Sequence, residues 1–377
     1  MPEIKVVITD YDLITPYGRG IQPLWDGILS GESRVMKLER FITQSFLSQN
    51  AAVIPELNPL KADSLVMQML KIILPENLKL IPPDASLILA TTVGEIDLLE
   101  KAVLKKTNLP RESNLINFLK KVKHLAKVKK DGLLISCACA SSSTALAEGA
   151  RMIQSGQTDC CLIVGADAVS EFVFSGFSSL MALDKNQAKP FDKNRAGLSL
   201  GEAAGFIILM SQQRAKKEKR KALAQISGWG TSCDANHMTG PSRNAEGLTQ
   251  AIAKALKKAK LSPDKIGCIS SHGTGTLYND AMELLAFKHI FKKAVPIYSI
   301  KGGTGHTLAA AGLIETIMVL KAQQEKTIPP TVGLKDLDPQ AAGWASFTKK
   351  KMQNQTVMLN NCGFGGINAA LILKELN

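Results

Sequence analysis

The chain has 377 residues, of which 45% are hydrophobic and 21% charged, so it can bury a sizeable core and is not a disordered or low-complexity protein. No apolar run approaches the roughly 18 residues that a membrane span needs, and the N-terminal residues show no secretory signal. The seven cysteines follow neither a disulfide framework nor the spacing of zinc ligands, so we expect no metal site and a location in the reducing cytoplasm.

The formal net charge of +13 at pH 7 favours an acidic partner, such as nucleic acid, an anionic membrane or an acidic protein. Much of the excess lies in two clusters, residues 120–130 and 214–221, for which a solvated helix face or loop is the simpler interpretation. Only 5% of the residues are aromatic, and no basic segment is interleaved with them. The chain therefore has few aromatic side chains on which nucleic-acid bases could stack.

In the first half of the chain, short apolar runs bounded by Gly, Pro or Asp alternate with helical patterns. Continuous apolar runs are typical of strands that are covered on both faces. We therefore predict strands at residues 5–13, 85–93, 132–138 and 160–169, and helices at residues 64–74 and 143–156.

The second half repeats this alternation, which predicts a layered α/β fold. A basic stretch with few glycines, residues 212–224, is the best candidate for a junction between the halves, and their similar make-up fits an ancient duplication. We predict strands at residues 224–232, 266–276, 296–305, 356–366 and 368–376, and helices at residues 247–261 and 307–324.

The first candidate for catalysis is Cys139, which stands where a predicted strand passes through small residues into a helix. Backbone N–H groups and the helix dipole stabilise a thiolate at a helix start, and a thiolate is a strong nucleophile. A buried, unreactive cysteine packed in a tight turn is the alternative, and this segment alone does not decide between the two.

Two of the five histidines, His272 and His306, fall in Gly- and Thr-rich turns between a strand and a helix. His124 and His289 instead lie in Lys-flanked helical patterns typical of the surface. A single histidine is more often structural than catalytic, but two in matching turns, together with a candidate thiolate, favour a site at the strand ends.

A glycine-rich segment, residues 363–366, lies near the C-terminal end of the chain. Its glycines allow a close approach of the backbone and can present N–H groups to a developing oxyanion. A phosphate-binding loop is the competing interpretation, but the segment leads into a strand and lacks the Lys-Ser/Thr of a P-loop.

Together these motifs resemble those of the β-ketoacyl-acyl-carrier-protein synthases, condensing enzymes of fatty-acid and type II polyketide synthesis. CAS from Cys139, HGTGT from His272, the Lys301-to-His306 spacing and GFGG from Gly363 come in the family's order and approximate spacing. With a histidine at position 306, the set resembles the Cys-His-His set of the elongating branch. The initiating branch has a Cys-His-Asn set.

The resemblance implies the five-layered αβαβα thiolase fold with two duplicated halves. Residues 1–212 would form the N-terminal half, which carries the nucleophilic cysteine, and residues 213–377 the C-terminal half, which carries both histidines and the GFGG loop.

The resemblance also implies an acyltransferase that performs a decarboxylating Claisen condensation. Cys139 would hold the acyl group as a thioester. His272 and His306, as neutral imidazoles with lowered pKa values, would promote decarboxylation of malonyl-acyl carrier protein and stabilise the enolate. The products would be β-ketoacyl-acyl carrier protein and CO2.

Further site residues follow from the same resemblance. Lys301 and Glu315 would form a supporting charged pair, Phe364 would act as a gate, and the backbone N–H groups of Cys139 and Phe364 would form the oxyanion hole. No metal or organic cofactor is implied, because the phosphopantetheine arrives on the carrier protein.

The implied partners are an acidic acyl carrier protein and a second ketosynthase-like subunit, identical or homologous. Arg111, with the basic cluster 120–130 after it, resembles a docking segment, and the hydroxyls of Thr274 and Thr276 match pantetheine contacts. The dimer would form through the strand that precedes the nucleophile. Binding of nucleic acid and insertion into a membrane are not expected.

Several positions depart from the family pattern, and the chain is shorter than typical members between about residues 40 and 130. The main alternative is therefore a non-catalytic partner subunit like a chain-length factor, although such subunits typically lose the cysteine. A degradative thiolase is disfavoured, because its second cysteine belongs to a C-terminal CxGxG motif. The departures are Asp10, Asp12, Met181, Ala196 and Cys362.

Overall fold

The first half of the chain forms one half of a mixed β-sheet in the computed structural model, which describes residues 4–108, 110 and 113–376. The strands lie in the order β1-β5-β4-β2-β3; β2, β3 and β4 are parallel, and β5 is antiparallel to both of its neighbours. β4 and β5 are buried along their whole length, as expected for continuous apolar runs covered on both faces. The five strands are β1 (Val6–Thr15), β2 (Ser86–Ala90), β3 (Leu133–Ile135), β4 (Cys160–Asp167) and β5 (Ala203–Ser211).

The second half of the chain repeats this topology. Its strands lie in the order β6-β10-β9-β7-β8, with the same sequence of parallel and antiparallel neighbours. In each half the order is therefore first, fifth, fourth, second and third strand. The strands are β6 (Ala224–Cys233), β7 (Cys268–Ser270), β8 (Ile297–Tyr298), β9 (Thr356–Gly363) and β10 (Ile367–Lys374).

Several helices begin at a side chain that caps the first turn. Ser64 Oγ accepts the Met67 N–H at 3.2 Å, and Ser170 Oγ accepts the Val173 N–H at 3.2 Å. Among the described residues, no helix is long and apolar enough to cross a membrane. The helices are α1 (Ile21–Ser30), α2 (Leu65–Ile73), α3 (Ile96–Leu104), α4 (Leu115–Leu125), α5 (Ser141–Gln154), α6 (Glu171–Ser179), α7 (Gln212–Lys217), α8 (Glu246–Ala259), α9 (Leu277–Ile290), α10 (Lys301–Thr304) and α11 (Ala311–Gln324).

The two halves join where β1 pairs antiparallel with β6, with Val6 opposite Ile226. Helices α5 and α11 pack against each other and contact strands of both halves, so they form a central layer. α2 covers the outer face of the first half, and α8 covers that of the second. The order of layers is therefore αβαβα, as the sequence predicted.

Most of the predicted strands and helices are confirmed within a few residues, but two predicted strands end early. Residues 271–276 form a loop, and residues 301–304 form α10. A Cβ atom on Gly302 would lie 1.9 Å from the Val332 carbonyl oxygen, so this turn packs against its neighbours as only glycine permits. β5 and the helices α1, α3, α6 and α7 were not assigned from the sequence, and the helical patterns around His124 and His289 correspond to α4 and α9. Short strands complete the fold at Gly18–Arg19, Met36–Lys37, Asn50–Ala52, Leu200–Gly201, Thr327–Ile328 and Lys350–Lys351.

Candidate active site

Cys139 lies at a sharp turn between β3 and α5. The residue before it, Ala138, has a φ of 47°, in the left-handed region that side chains rarely adopt. The Cys139 side chain is buried, and its Sγ atom faces its own backbone N–H and that of Phe364. Gly363 permits this approach, because a Cβ there would lie 3.3 Å from the Cys139 nitrogen and 3.0 Å from the Cys137 carbonyl oxygen.

Burial raises the pKa of the Cys139 thiol to about 11, although Lys301 and the two backbone N–H groups act in the opposite direction. Of the two alternatives that the sequence left open, burial therefore favours the thiol over the stabilised thiolate in the substrate-free protein. Removal from water outweighs the helix dipole and the N–H groups, so the sulfur is held as a thiol.

His272 stands at the end of β7 in a loop that carboxylates of α9 hold in place. Glu283 accepts the backbone N–H groups of His272 and Gly273, both at 2.7 Å, and Asp280 accepts that of Thr274 at 3.1 Å. The imidazole Nδ1 of His272 lies 3.2 Å from the side-chain nitrogen of Asn361. The ring is buried and lines the cavity described below, to which its other nitrogen, Nε2, can donate or accept a hydrogen bond.

His306 follows α10 and is fixed through its backbone and its ring. Its N–H donates to the Ser199 carbonyl at 2.6 Å, and its Nδ1 accepts the Leu308 N–H at 3.1 Å. Nε2 is buried and has no hydrogen-bond partner among the described residues. Since Nδ1 accepts a hydrogen bond, the proton of the neutral ring lies on Nε2.

The two imidazole rings contact each other edge to face, with 5.2 Å between centroids and an angle of 80° between their planes. Burial lowers the pKa of each ring well below its usual value, with a further contribution from Lys301 in both cases. Both shifts have the direction that the neutral imidazoles implied by the resemblance require.

Lys301 and Glu315 lie behind the histidines as a buried ion pair. Lys301 Nζ also donates to the His272 carbonyl at 2.6 Å, and Glu315 accepts the Asn361 amide at 2.7 Å. Burial raises the pKa of Glu315, and Lys301 opposes that shift. The pair therefore ties the segments that carry both histidines to β9.

A cavity of about 820 Å³ joins these residues to the surface. Phe364 stands in its wall and stacks on Phe177, with 5.6 Å between the ring centroids. The hydroxyl oxygens of Thr274 and Thr276 lie 2.9 Å apart along the same wall. Of the residues predicted from the sequence, the cavity brings together Cys139, His272, Thr274, Thr276, His306 and Phe364, with Lys301 and Glu315 behind them, whereas Arg111 lies outside the described residues.

Two family models match the chain in succession. The N-terminal domain of β-ketoacyl synthases matches residues 131–215, and the C-terminal domain matches residues 223–335, which together make up more than half of the chain. The chain belongs to the β-ketoacyl synthase family.

Two curated relatives of this ketosynthase are each named 3-oxoacyl-[acyl-carrier-protein] synthase 2. The protein of Coxiella burnetii is 29% identical over 418 residues, and that of Vibrio cholerae is 28% identical over 422 residues; in both cases the match covers 100% of each chain.

Solved structures agree with this fold. A chain of the ishigamide ketosynthase/chain length factor matches with a TM-score of 0.90 and 27% identity over 100% of both chains. The β-ketoacyl synthase from Burkholderia phymatum matches with a TM-score of 0.86 and 25% identity over 99% of this chain and 100% of that one. The thiolase-like fold predicted from the sequence is thereby confirmed.

The ketosynthase site also has the composition of a metal centre, because Cys139 Sγ and one nitrogen of each imidazole lie within 4.8 Å of one another. Histidines that bind a metal usually donate their remaining ring N–H to an acceptor. Here Leu308 N–H donates to Nδ1 of His306, and an amide nitrogen faces Nδ1 of His272. In each ring Nε2 then carries the proton and has no lone pair for a metal. The hydrogen bonds therefore favour two Nε2–H donors, as in a ketosynthase, over a metal site.

Sequence reasoning missed three residues of the ketosynthase site, namely Asp280, Glu283 and Asn361. The two carboxylates are spaced three residues apart on α9, directly after the HGTGT motif. This spacing could have indicated that they accept hydrogen bonds from the backbone of that loop. Asn361 precedes the GFGG motif by two residues and carries no comparable signal, because its partners come from remote segments.

Proposed function

We propose that this chain condenses an acyl group held on Cys139 with malonyl-acyl carrier protein, giving β-ketoacyl-acyl carrier protein and CO2. The observation that carries the proposal is the meeting of one thiol and two neutral imidazoles at the inner end of a single cavity. Each group then has a separate task in a two-stage reaction, and the chemistry calls for no metal or organic cofactor.

In the first stage the Cys139 sulfur attacks the thioester carbonyl of an acyl-carrier protein. The negative charge that develops on the carbonyl oxygen is stabilised by the backbone N–H groups of Cys139 and Phe364. The C–S bond to pantetheine breaks, and the thiol proton of Cys139 leaves with the pantetheine sulfur. The attacking species is the thiolate, and the exchange balances because the pantetheine sulfur gains the proton that Cys139 loses.

In the second stage the malonyl thioester oxygen accepts the Nε2–H groups of His272 and His306. These donors stabilise the enolate that forms when the bond to the carboxylate breaks and CO2 departs. Neutral imidazoles suit this task, because a donor that retains its proton stabilises the oxyanion without transferring it. The positive charge of Lys301 behind the rings, balanced by Glu315, favours the same build-up of charge.

The enolate carbon then attacks the acyl-Cys139 carbonyl, a C–C bond forms, the bond to the Cys139 sulfur breaks, and the departing thiolate takes a proton from solvent. Phe364, stacked on Phe177 in the cavity wall, is placed to separate the acyl site from the malonyl site. Its gating role is part of the proposal. The Thr274 and Thr276 hydroxyls are the proposed contacts of the pantetheine arm, since they line the path to Cys139.

The partner at the cavity mouth is, in this proposal, an acidic acyl carrier protein. The mouth is lined by exposed apolar side chains, Leu180, Met181, Leu277 and Tyr278, and Arg243 lies over the Tyr278 ring at 5.5 Å. The basic cluster 120–130 instead borders a separate cleft of about 340 Å³. Within the cluster, Lys121 pairs with Glu95, and Lys123 pairs with Asp131. Docking through Arg111 stays a proposal.

We also propose that the chain works as a dimer and that its halves, residues 1–212 and 213–377, descend from one duplicated unit. The repeated strand order supports the duplication. The strand β3 at the end of the sheet, with Leu133 exposed, offers an edge for a partner strand, identical or homologous. All seven cysteines are free thiols, which suits the proposed cytoplasmic location.

Intact-mass analysis of the purified chain with a range of acyl-carrier proteins tests the proposal, with Cys139→Ala as control. We expect acylation of the wild-type chain only, followed by elongation when malonyl-carrier protein is added. Acylation that needs a co-expressed homologue would identify an obligate heterodimer. Mass gained only by that homologue would establish the alternative, a non-catalytic subunit like a chain-length factor.

A further inference from the structure

Asn361, near the end of β9, contacts three side chains of the site at once. Its amide nitrogen lies 2.7 Å from Glu315 Oε2 and 3.2 Å from His272 Nδ1, and its amide oxygen accepts the Ser143 hydroxyl. All four residues are buried. Asn361 is therefore the point at which the helix behind Cys139, the His272 loop and the Lys301–Glu315 pair meet.

The hydrogen bonds allow one orientation of the Asn361 amide. A carboxylate only accepts, so the atom that faces Glu315 is the NH2 group. The carbonyl oxygen then faces the Ser143 hydroxyl, which has a proton to donate. The second hydrogen of the NH2 group is left for His272 Nδ1, and every donor and acceptor of the amide is used.

The space for this arrangement comes from Gly312, in the first turn of helix α11. A Cβ on Gly312 would lie 2.0 Å from Ser143 Oγ and 2.5 Å from the Asn361 amide oxygen. Packing around the Ser143–Asn361 contact therefore requires the glycine.

From these contacts we propose that Asn361 is a positioning residue that fixes His272 as the tautomer protonated on Nε2. An N–H donor beside Nδ1 leaves that nitrogen only the role of acceptor, so the ring proton lies on Nε2 and points into the cavity. The Leu308 N–H imposes the same tautomer on His306, because it donates to Nδ1 of that ring. A carboxylate at position 361 would demand a proton on Nδ1 and would turn Nε2 into an acceptor, which cannot stabilise an enolate.

The test is nitrogen-15 NMR of the full-length protein labelled at histidine, with His272→Gln used to assign the His272 signals. Wild type should show a protonated Nε2 and an unprotonated Nδ1 for His272. Asn361→Asp should move the proton to Nδ1. The matched control is Asn77→Asp, which also replaces an amide that donates to a carboxylate, that of Asp12, but lies away from the histidines.

The catalytic consequence of this tautomer rests on the proposed function. A second measurement tests that consequence separately from the tautomer itself. Asn361→Asp should slow malonyl decarboxylation about 100-fold, the typical loss of one oxyanion donor, and should change the rate of Cys139 acylation by less than about threefold. A wild-type His272 protonated on Nδ1 would overturn the proposal, even if the variant failed to fold. The expected tautomer in a wild-type protein without decarboxylation would overturn only the proposed function.

Discussion

Cys139 and His306 occupy equivalent positions in the two halves of the fold. Each follows the third strand of its half, β3 or β8, and precedes a helix of the central layer, α5 or α11. The two helices meet near their N-terminal ends, where the Leu313 N–H donates to Ser142 Oγ at 2.9 Å. The nucleophile and the imidazole are therefore brought together by the contact between the two central helices, one from each half.

The Cys139 thiol should react slowly with alkylating reagents at neutral pH. With a pKa of about 11, its thiolate fraction rises about tenfold for each pH unit up to that value, and the alkylation rate should rise with it. The measurement is the rate of carbamidomethylation at Cys139 between pH 7 and 10, followed by peptide mass spectrometry. A rate that levels off below pH 8 would show that the helix start and Lys301 outweigh burial.

The positions of the nucleophile and the two histidines could be predicted from the sequence because each stands in a turn of small residues at a strand end. The acidity of Cys139 could not, because the local pattern shows the helix start and not the depth of burial. The role of Asn361 could not be predicted either, since Ser143 is 218 residues away along the chain and His272 is 89. Such contacts follow only from the packing of the two halves.

Removal of the His306 imidazole should separate the two stages of the reaction. His306→Ala deletes one of the two Nε2–H donors, so malonyl decarboxylation should fall by about 10²–10³-fold while acylation of Cys139 continues. Release of labelled CO2 measures the first quantity and intact mass the second. His306→Asn, which retains an N–H donor, should lose less, and His124→Ala at the exposed end of α4 should lose nothing. An equal fall in both stages would contradict the assignment.

A methyl group at position 363 should damage the acyl-transfer stage. The added Cβ of Gly363→Ala would lie 3.0 Å from the Cys137 carbonyl oxygen and 3.3 Å from the Cys139 nitrogen, so the two segments must separate by a few tenths of an ångström at the oxyanion hole. We expect acylation of Cys139 to slow about 100-fold, as for the loss of one oxyanion-hole donor. The measurement is single-turnover acylation followed by intact mass.

A matched control for that variant is Gly176→Ala in α6, where a Cβ meets no atom within 4 Å. It should acylate at the wild-type rate. If Gly363→Ala also acylates at that rate, the Phe364 N–H takes no part in the oxyanion hole.

A negative charge at the cavity mouth should repel an acidic carrier protein. Met181 is 87% exposed and lines the entrance, so Met181→Glu places a carboxylate beside the docked partner without touching the inner site. We expect the KM for acyl-carrier protein to rise about tenfold and the rise to shrink as salt is added, because exposed charges are screened. A pantetheine thioester, which lacks the protein, should react as before.

Leu60→Glu provides the control for Met181→Glu, because Leu60 is 85% exposed and lies outside the cavity lining. It changes the net charge by the same amount as Met181→Glu. It should leave the KM for acyl-carrier protein and the KM for the pantetheine thioester unchanged. An equal loss with carrier protein and with the pantetheine thioester would mean that Met181 shapes the path of the arm. A rise in KM with Leu60→Glu as well would mean that the total charge of the protein, and not the mouth, governs docking.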